Sequence, residues 1–346
     1  MKNLLDFTRH ELSDWLIDKG IQPFRSGQIT KWLHIRQANG FEEMTDLSKE
    51  LRKRLEAEFY IQRLVVEEKM VSADTTEKFL FRLNDGLHIE SVLIPGKDHL
   101  TLCVSSQVGC AQNCRFCLTA RGGFIRNLTV SEMISQIRDI RFYLMQKSID
   151  PLKLSNIVFM GMGEPLANYQ NLIKALETIT DSDYGFKFSP RHVTVSTSGL
   201  VPKITQLGLD TFVNLAVSLN ATTDETRSAL MPINDKYPLK QLLEACRTFT
   251  MKPRNKITFE YILIKGVNDS REDALRLVKM LSPIKSKINL IPYNEYEESD
   301  FKRPSQKIVS EFLQILLDKN FTAIIRKSKG DDILAACGQL KARLIL

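Results

Sequence analysis

The sequence predicts an α/β fold: a parallel sheet built from strand–helix repeats, preceded by a small helical domain and a few further strands. Three observations predict it. After Pro95, short apolar strands alternate with amphipathic helices. Residues 1–60 carry helical periodicity, and residues 62–95 carry strand patterning.

In chain order, helices are expected at 8–19, 26–36 and 48–60, broken at Gly20, Pro23 and Gly40. Lys, Arg and aromatic residues mix here, as in KWLHIRQ; a solvated helical face and an RNA-contacting one both fit that pattern. The strands QRLVVEEKMV, TEKFLFRL and LHIESVLI follow, the last two joined by the hairpin signal Asn84-Asp85-Gly86. Beyond them the candidate strands are TLCVSS, NIVFMG, HVTVSTS, FVNLAVSL, ITFEYILI, KINLIP and FTAIIRK. Helical stretches separate them, such as TVSEMISQIRDIRFYLMQ, which opens with the capping-box pair Thr129 and Glu132. Such alternation builds an open wound sheet or a barrel, and in both the ligands sit at the carboxyl ends of the strands. The expected divisions are a helical accessory domain at 1–60, a β extension at 61–95 and a strand–helix core at 96–346.

At 346 residues the chain exceeds the size at which single cores tend to stop growing, so one large domain with a small appendage is expected. Apolar residues make up 43% and charged residues 26%, a balance that argues against disordered and fibrous chains. The opening MKNLLDFTRHELSDWLIDKG sets Leu4, Leu5, Leu12, Trp15 and Leu16 among charges at helical spacing, unlike the continuous apolar core of a signal peptide. No uncharged apolar run nears the roughly 20 residues of a membrane-spanning helix, so a cytoplasmic protein without a membrane partner is expected. The formal net charge of +7 attracts polyanions and gives some support to a nucleic-acid partner.

Four of the six cysteines fall within CVSSQVGCAQNCRFC, residues 103–117. Crowding of this kind is unlike the distributed framework of a secreted disulfide protein and points to metal or redox chemistry. Cys110, Cys114 and Cys117 lie on the loop after the first core strand, and C-x3-C-x2-C spacing lets one loop turn three thiolates toward a common centre. Structural zinc usually takes four protein ligands, and no nearby cysteine or histidine supplies an obvious fourth. Three thiolates on a cubane iron–sulfur cluster leave one iron open for a substrate or cofactor.

This spacing, with Phe116 before the last cysteine, resembles the signature of the radical S-adenosylmethionine (SAM) superfamily. The resemblance implies a partial (β/α)6-type barrel and a [4Fe-4S] cluster on Cys110, Cys114 and Cys117, whose open iron is chelated by SAM. An electron from the cluster would cleave SAM to methionine and a 5′-deoxyadenosyl radical, so the cofactor carries the difficult chemistry while the fold positions it. Further residues at strand ends fit. In GMGEP, Gly163 lets the backbone approach a ligand and Glu164 can accept from an ammonium group. Ser196, the run Ser218-Leu219-Asn220 and Asn294 offer hydroxyl and amide groups suited to a ribose, a carboxylate or an adenine edge. In the branch that the chain resembles most, many members carry histidine where Asn220 stands; asparagine keeps hydrogen-bonding capacity, so a SAM-ligand role survives, and loses the titrating imidazole, so a proton-transfer role does not.

GDDILAACGQL, together with HIESVLIP, Cys103, SSQVGC, GMGEP and MPIN, resembles the RlmN/Cfr branch of the superfamily over nearly the whole chain. That resemblance implies methylation at C2 of an adenosine in 23S ribosomal RNA and of the adenosine beside the anticodon in some transfer RNAs. Adenine C2 is an electron-poor aromatic carbon with no lone pair and no acidic proton, so direct attack on the methyl of SAM is closed to it. In the family's scheme Cys337 takes a methyl from one SAM by thiolate displacement, and a second SAM supplies the radical that removes hydrogen from it. The methylene carbon adds to C2. Cys103 then attacks the Cys337 sulfur to release the product as a disulfide forms, and Glu90 accepts the C2 proton. From the residues alone, Glu90 reads as an outward strand carboxylate, and Cys103 and Cys337 as small buried hydrophobes. Cys246, inside LLEACRTF, is assigned to packing. An electron donor such as flavodoxin and a monomeric state complete the expectations.

Three other activities compete. A Cfr-like enzyme methylating C8 of the same ribosomal base would use the same cluster and cysteines, although Pro165 after GMGE favours the C2 branch. A radical SAM activating enzyme acting on a protein has no use for Cys103 and Cys337 as a pair. A non-catalytic iron–sulfur RNA-binding protein would consume no SAM.

Overall fold

The computed structural model describes residues 1–297 and 299–341. Three helices open the chain, α1 (Arg9–Asp18), α2 (Arg25–His34) and α3 (Lys49–Glu58), close to the expected bounds. Thr8 caps α1 in a capping box with Glu11 and Ser48 caps α3, giving partners to amides that a first helical turn leaves without one. The buried faces of these helices, with Leu12, Leu16, Ile29, Leu33, Leu51 and Leu55, join an apolar core continuous with that of the sheet. A polar tie reinforces the junction. Arg138, fully buried on the helix Val130–Gln146, donates to the carbonyls of Leu33, Ala38 and Gln62. Next to it Asp139 accepts from Arg63 at 2.7 Å and from the Leu64 amide at 2.8 Å.

Ten strands form one sheet: β1 (Val65–Val71), β2 (Glu77–Arg82), β3 (His88–Pro95), β4 (Leu100–Cys103), β5 (Leu154–Phe159), β6 (Val193–Thr197), β7 (Asn214–Ser218), β8 (Ile257–Leu263), β9 (Ser286–Pro292) and β10 (Ala323–Ile325). Each strand lies beside its predecessor, so spatial order follows sequence order. The short connections among β1–β4 give antiparallel pairs, whereas helical crossovers make every pairing from β4 to β10 parallel. Seven parallel strands with helical connections between them are the partial (β/α)6-type barrel that was expected. The β extension is continuous with it: β3 pairs with β4, setting Val92 opposite Cys103. Among the described residues, no helix is long and apolar enough to cross a membrane.

Candidate active site

A cavity of about 190 Å³ opens at the carboxyl ends of the parallel strands. Its wall includes Cys110, Cys114 and Cys117 from the loop after β4, Gly163 and Glu164 from the loop after β5, and Ser196 of β6. Ser218 at the end of β7, Asn220 just beyond it, Asn294 after β9 and Cys337 also line it. Residues far apart in sequence thus meet at one face.

The cysteine loop is shaped by backbone constraints. Gly109 has φ +75, and a Cβ there would stand 1.9 Å from the Gly123 carbonyl oxygen, so only glycine lets the strand Gln107–Gly109 lie against Phe124–Asn127. The Cys110 amide then donates to that same carbonyl at 2.7 Å, and the Cys117 amide closes a turn on the Cys114 carbonyl at 3.1 Å. Phe116 is buried among Met231, Ile264 and Tyr293, anchoring the loop from behind. Burial pushes the Cys110 thiol up to about 12, and raises Cys114 as well. Among the described residues no three His, Cys, Asp or Glu side chains gather closely enough to hold a single metal ion. Three thiols spread over one cavity wall suit a cluster, which spans the gaps between its ligands and whose positive irons offset the cost of ionising buried sulfur.

Glu164 is fully enclosed. Its carboxylate accepts from the Ser198 amide at 2.7 Å, the Ser198 hydroxyl at 2.8 Å and the Leu166 amide at 3.0 Å. Burial raises its pKa, and the bonds from Ser198 oppose the rise. Gly163, at φ +98, turns the backbone past Gln107, whose side-chain oxygen receives the Glu164 amide at 2.8 Å. Ser198 and Gln112, which also line the cavity, were not among the expected site residues. Ser198 follows directly on the end of β6, and that strand-end place was the signal available for it.

The run after β7 is braced from below. Arg227, fully buried, donates to the carbonyls of Ser198 at 2.6 Å, Leu219 at 3.1 Å and Ser218 at 3.2 Å, and to Asn234 at 3.1 Å. Leu219 therefore packs in the core and stays out of the cavity wall. Asn220 has φ +57, a conformation in which asparagine is enriched, and its amide is engaged within the fold. Its Oδ1 accepts from the Ile262 amide at 2.9 Å and its Nδ2 points to the Met231 sulfur at 3.3 Å.

Cys337 sits on a turn stitched to its surroundings through its main chain. Asn294 Nδ2 donates to the Cys337 carbonyl at 3.2 Å, the Leu118 amide to that of Gly338 at 2.7 Å, and the Thr119 hydroxyl to that of Leu340 at 2.6 Å. Cys337 is exposed into the cavity while protein encircles it, which raises its thiol; Arg326 opposes that rise. Cys103 ends β4 and is buried, its thiol pushed up to about 12 by burial and next by the nearby Cys337 sulfur. Neither sulfur is in a disulfide. Cys246 is buried in the helix Leu239–Arg247, as its assignment to packing requires.

Glu90 is not brought into this cavity. It is 4% exposed, in place of the outward carboxylate that strand alternation suggests, because β3 is an interior strand with the Cys337 segment against it. Its side chain pairs with Lys78 at 3.2 Å and lines a second cavity of about 320 Å³.

Residues 2–61 match the ribosomal RNA large subunit methyltransferase N-terminal domain, and residues 104–278 match the radical SAM superfamily. The chain is 55% identical over 341 residues to a dual-specificity RNA methyltransferase RlmN from Desulfosudis oleivorans, covering 99% of this chain and 91% of that one. It is 52% identical to the RlmN of Geotalea uraniireducens, covering 99% and 97%. The crystal structure of a radical SAM methyltransferase from Sphaerobacter thermophilus superposes with a TM-score of 0.89 at 41% identity, covering 98% of this chain and 99% of that one. With a radical SAM core behind a matching N-terminal domain and full-length relatives at this identity, the chain belongs to the RlmN family of radical SAM methyltransferases.

Proposed function

We propose that this protein methylates C2 of an adenosine in 23S ribosomal RNA and of the adenosine beside the anticodon in some transfer RNAs, with Cys337 as the methyl carrier. The observation that carries the reading is the exposed Cys337 sulfur in the wall that also holds Cys110, Cys114 and Cys117, with Cys103 close enough to feel its charge. An enzyme that passes its radical to another protein has no need of that pair.

Cys110, Cys114 and Cys117 would hold a [4Fe-4S] cluster, and Gly163, Glu164, Ser196, Ser218, Asn220 and Asn294 would border SAM, whereas Leu219, packed in the core, would not. When bound, the cluster supplies the electron that splits SAM and so provides a hydrogen-abstracting radical. Cys337 takes a methyl from one SAM as a thiolate, loses one hydrogen from it in a second reaction, and bonds through that carbon to C2. Glu90, which stands outside this cavity but against the segment that carries Cys337, accepts the C2 proton. The Cys103 sulfur then attacks the Cys337 sulfur; the S–C bond breaks, its electrons stay with the carbon, and protonation completes the methyl group. Disulfide formation yields two electrons, which balance reduction of the second SAM to methionine and 5′-deoxyadenosine, and the starting electron is returned. A thiol reductant must reopen the disulfide before the next turnover.

Residues 1–60 contribute RNA affinity, residues 61–95 support the Cys337 segment and supply Glu90, and residues 96–346 hold the rest of the chemistry. The protein works as a cytoplasmic monomer and takes its electron from a donor such as flavodoxin. Anaerobic incubation with methyl-labelled SAM tests the reading: label on the peptide containing Cys337 is expected, and labelled RNA with none ever found on that peptide would contradict it.

A further inference from the structure

Lys78 carries a buried cation to which the scheme above gives no role. It stands on β2 beside the strand that bears Glu90, with only 10% of its side chain exposed. Nζ lies 3.2 Å from Glu90 Oε1 and donates to the Leu334 carbonyl at 3.3 Å. The other carboxylate oxygen, Oε2, accepts from the Lys341 amide at 2.9 Å. Leu334 and Lys341 bracket the turn that presents Cys337. Leu334 adopts φ +50, a left-handed conformation unusual for a branched residue, so its neighbours hold the turn in shape.

Burying an ammonium is costly, and a side chain kept only for packing would serve better as an apolar residue of the same volume. The groups around Glu90 show what the cation does. Burial raises the Glu90 carboxyl and Glu68 on β1 adds to the rise, while Lys78 and the Lys341 amide oppose it. Asp332, on the near side of the turn, accepts from Ser72 and Ala73. Lys78 is thus a cation paired with Glu90, in a cavity that Glu68 and Lys341 also line, and the same Nζ reaches the Cys337 turn.

We propose that Lys78 is a positioning residue for the methylation: its ammonium pairs with Glu90 and ties that carboxylate to the turn carrying Cys337, so that proton acceptor and methyl carrier are set together. The inference rests on the reading of Glu90 as acceptor of the C2 proton.

RNA tritiated at C2 of the target adenosine reports the proton-loss step as tritium released to water, while 5′-deoxyadenosine counts the radicals formed. Removing the cation raises the Glu90 carboxyl further and so depletes the carboxylate at a given pH. In Lys78→Met the acidic limb of tritium release should therefore move up by about 1 to 3 pH units, with 5′-deoxyadenosine still formed below it. Lys78→Arg should return the limb to its native position. A Lys78→Met limb at the native pH overturns the proposal even if the amplitude falls, because a merely structural loss lowers the amplitude without moving the limb. Should Lys78→Met not fold, Lys78→Gln carries the same test. Glu90→Gln separates the two claims. Native tritium release from Glu90→Gln overturns the reading of Glu90 itself, whereas an inactive Glu90→Gln beside an unmoved Lys78→Met limb overturns only the role of Lys78.

Discussion

Asn294 Nδ2 donates to the Cys337 carbonyl across 3.2 Å, tying the loop after β9 to the turn that bears the exposed sulfur. The other end of the same amide, Oδ1, accepts from the Ser328 hydroxyl, so the side chain is held at both ends and its orientation is fixed. A residue expected to border SAM thereby also sets the height of the sulfur.

Asn294→Ala should accordingly impair activity far more than stability. Losing the bond costs about 1 kcal/mol of folding free energy, but misplacing a reacting atom by about 1 Å can cost about 10²-fold in rate. Thermal melts beside single-turnover methylation check this; a variant with a native rate would show that the Cys337 turn needs no hold from Asn294.

The three loop cysteines should act as a unit. Replacing any one of Cys110, Cys114 or Cys117 with alanine is expected to remove the brown chromophore of anaerobically prepared protein together with all formation of 5′-deoxyadenosine. Iron analysis and absorbance measure the first, chromatography the second. Zinc in place of iron in the native protein would contradict the assignment.

RNA affinity should fall steeply with salt, in proportion to the phosphates neutralised. Lys31 and Lys53 are exposed on α2 and α3. Changing both to glutamine should flatten the plot of log affinity against log salt by about 0.7 to 0.9 for each phosphate no longer neutralised, with the rate at saturating RNA unchanged. An unaltered slope in a folded variant would remove these helices from the RNA-contacting surface.

Local signals were legible in the sequence and long-range pairings were not. The capping boxes of Thr8 with Glu11 and Thr129 with Glu132 depend on residues three apart, so the first of these helix starts could be placed from neighbours alone, as the second was. The cysteine spacing and the strand-end positions of Glu164 and Ser218 located the cavity in advance. Burial of Glu90 was not legible, because it follows from β3 joining the barrel edge at Cys103 and from a segment about 250 residues away folding over it. Nothing in the sequence marks Arg227 or Arg138 as buried; the assembled fold shows that each serves main-chain carbonyls of other elements. The engagement of the Asn220 side chain within the fold follows from its positive φ and the Ile262 amide, neither of which a sequence displays.

The covalent scheme is tested most directly by the Cys103→Ala variant incubated anaerobically with SAM, an electron donor and target RNA. Cys337 forms the bond to C2 and Cys103 acts only afterwards, so losing Cys103 should let the bond form and block its release. The expected result is a protein band shifted by the mass of the RNA, removed by nuclease, mapped to Cys337 by peptide mass and absent when Cys337 is also replaced with alanine. Normal turnover by Cys103→Ala without added thiol, or methylated RNA from Cys337→Ala, would contradict it.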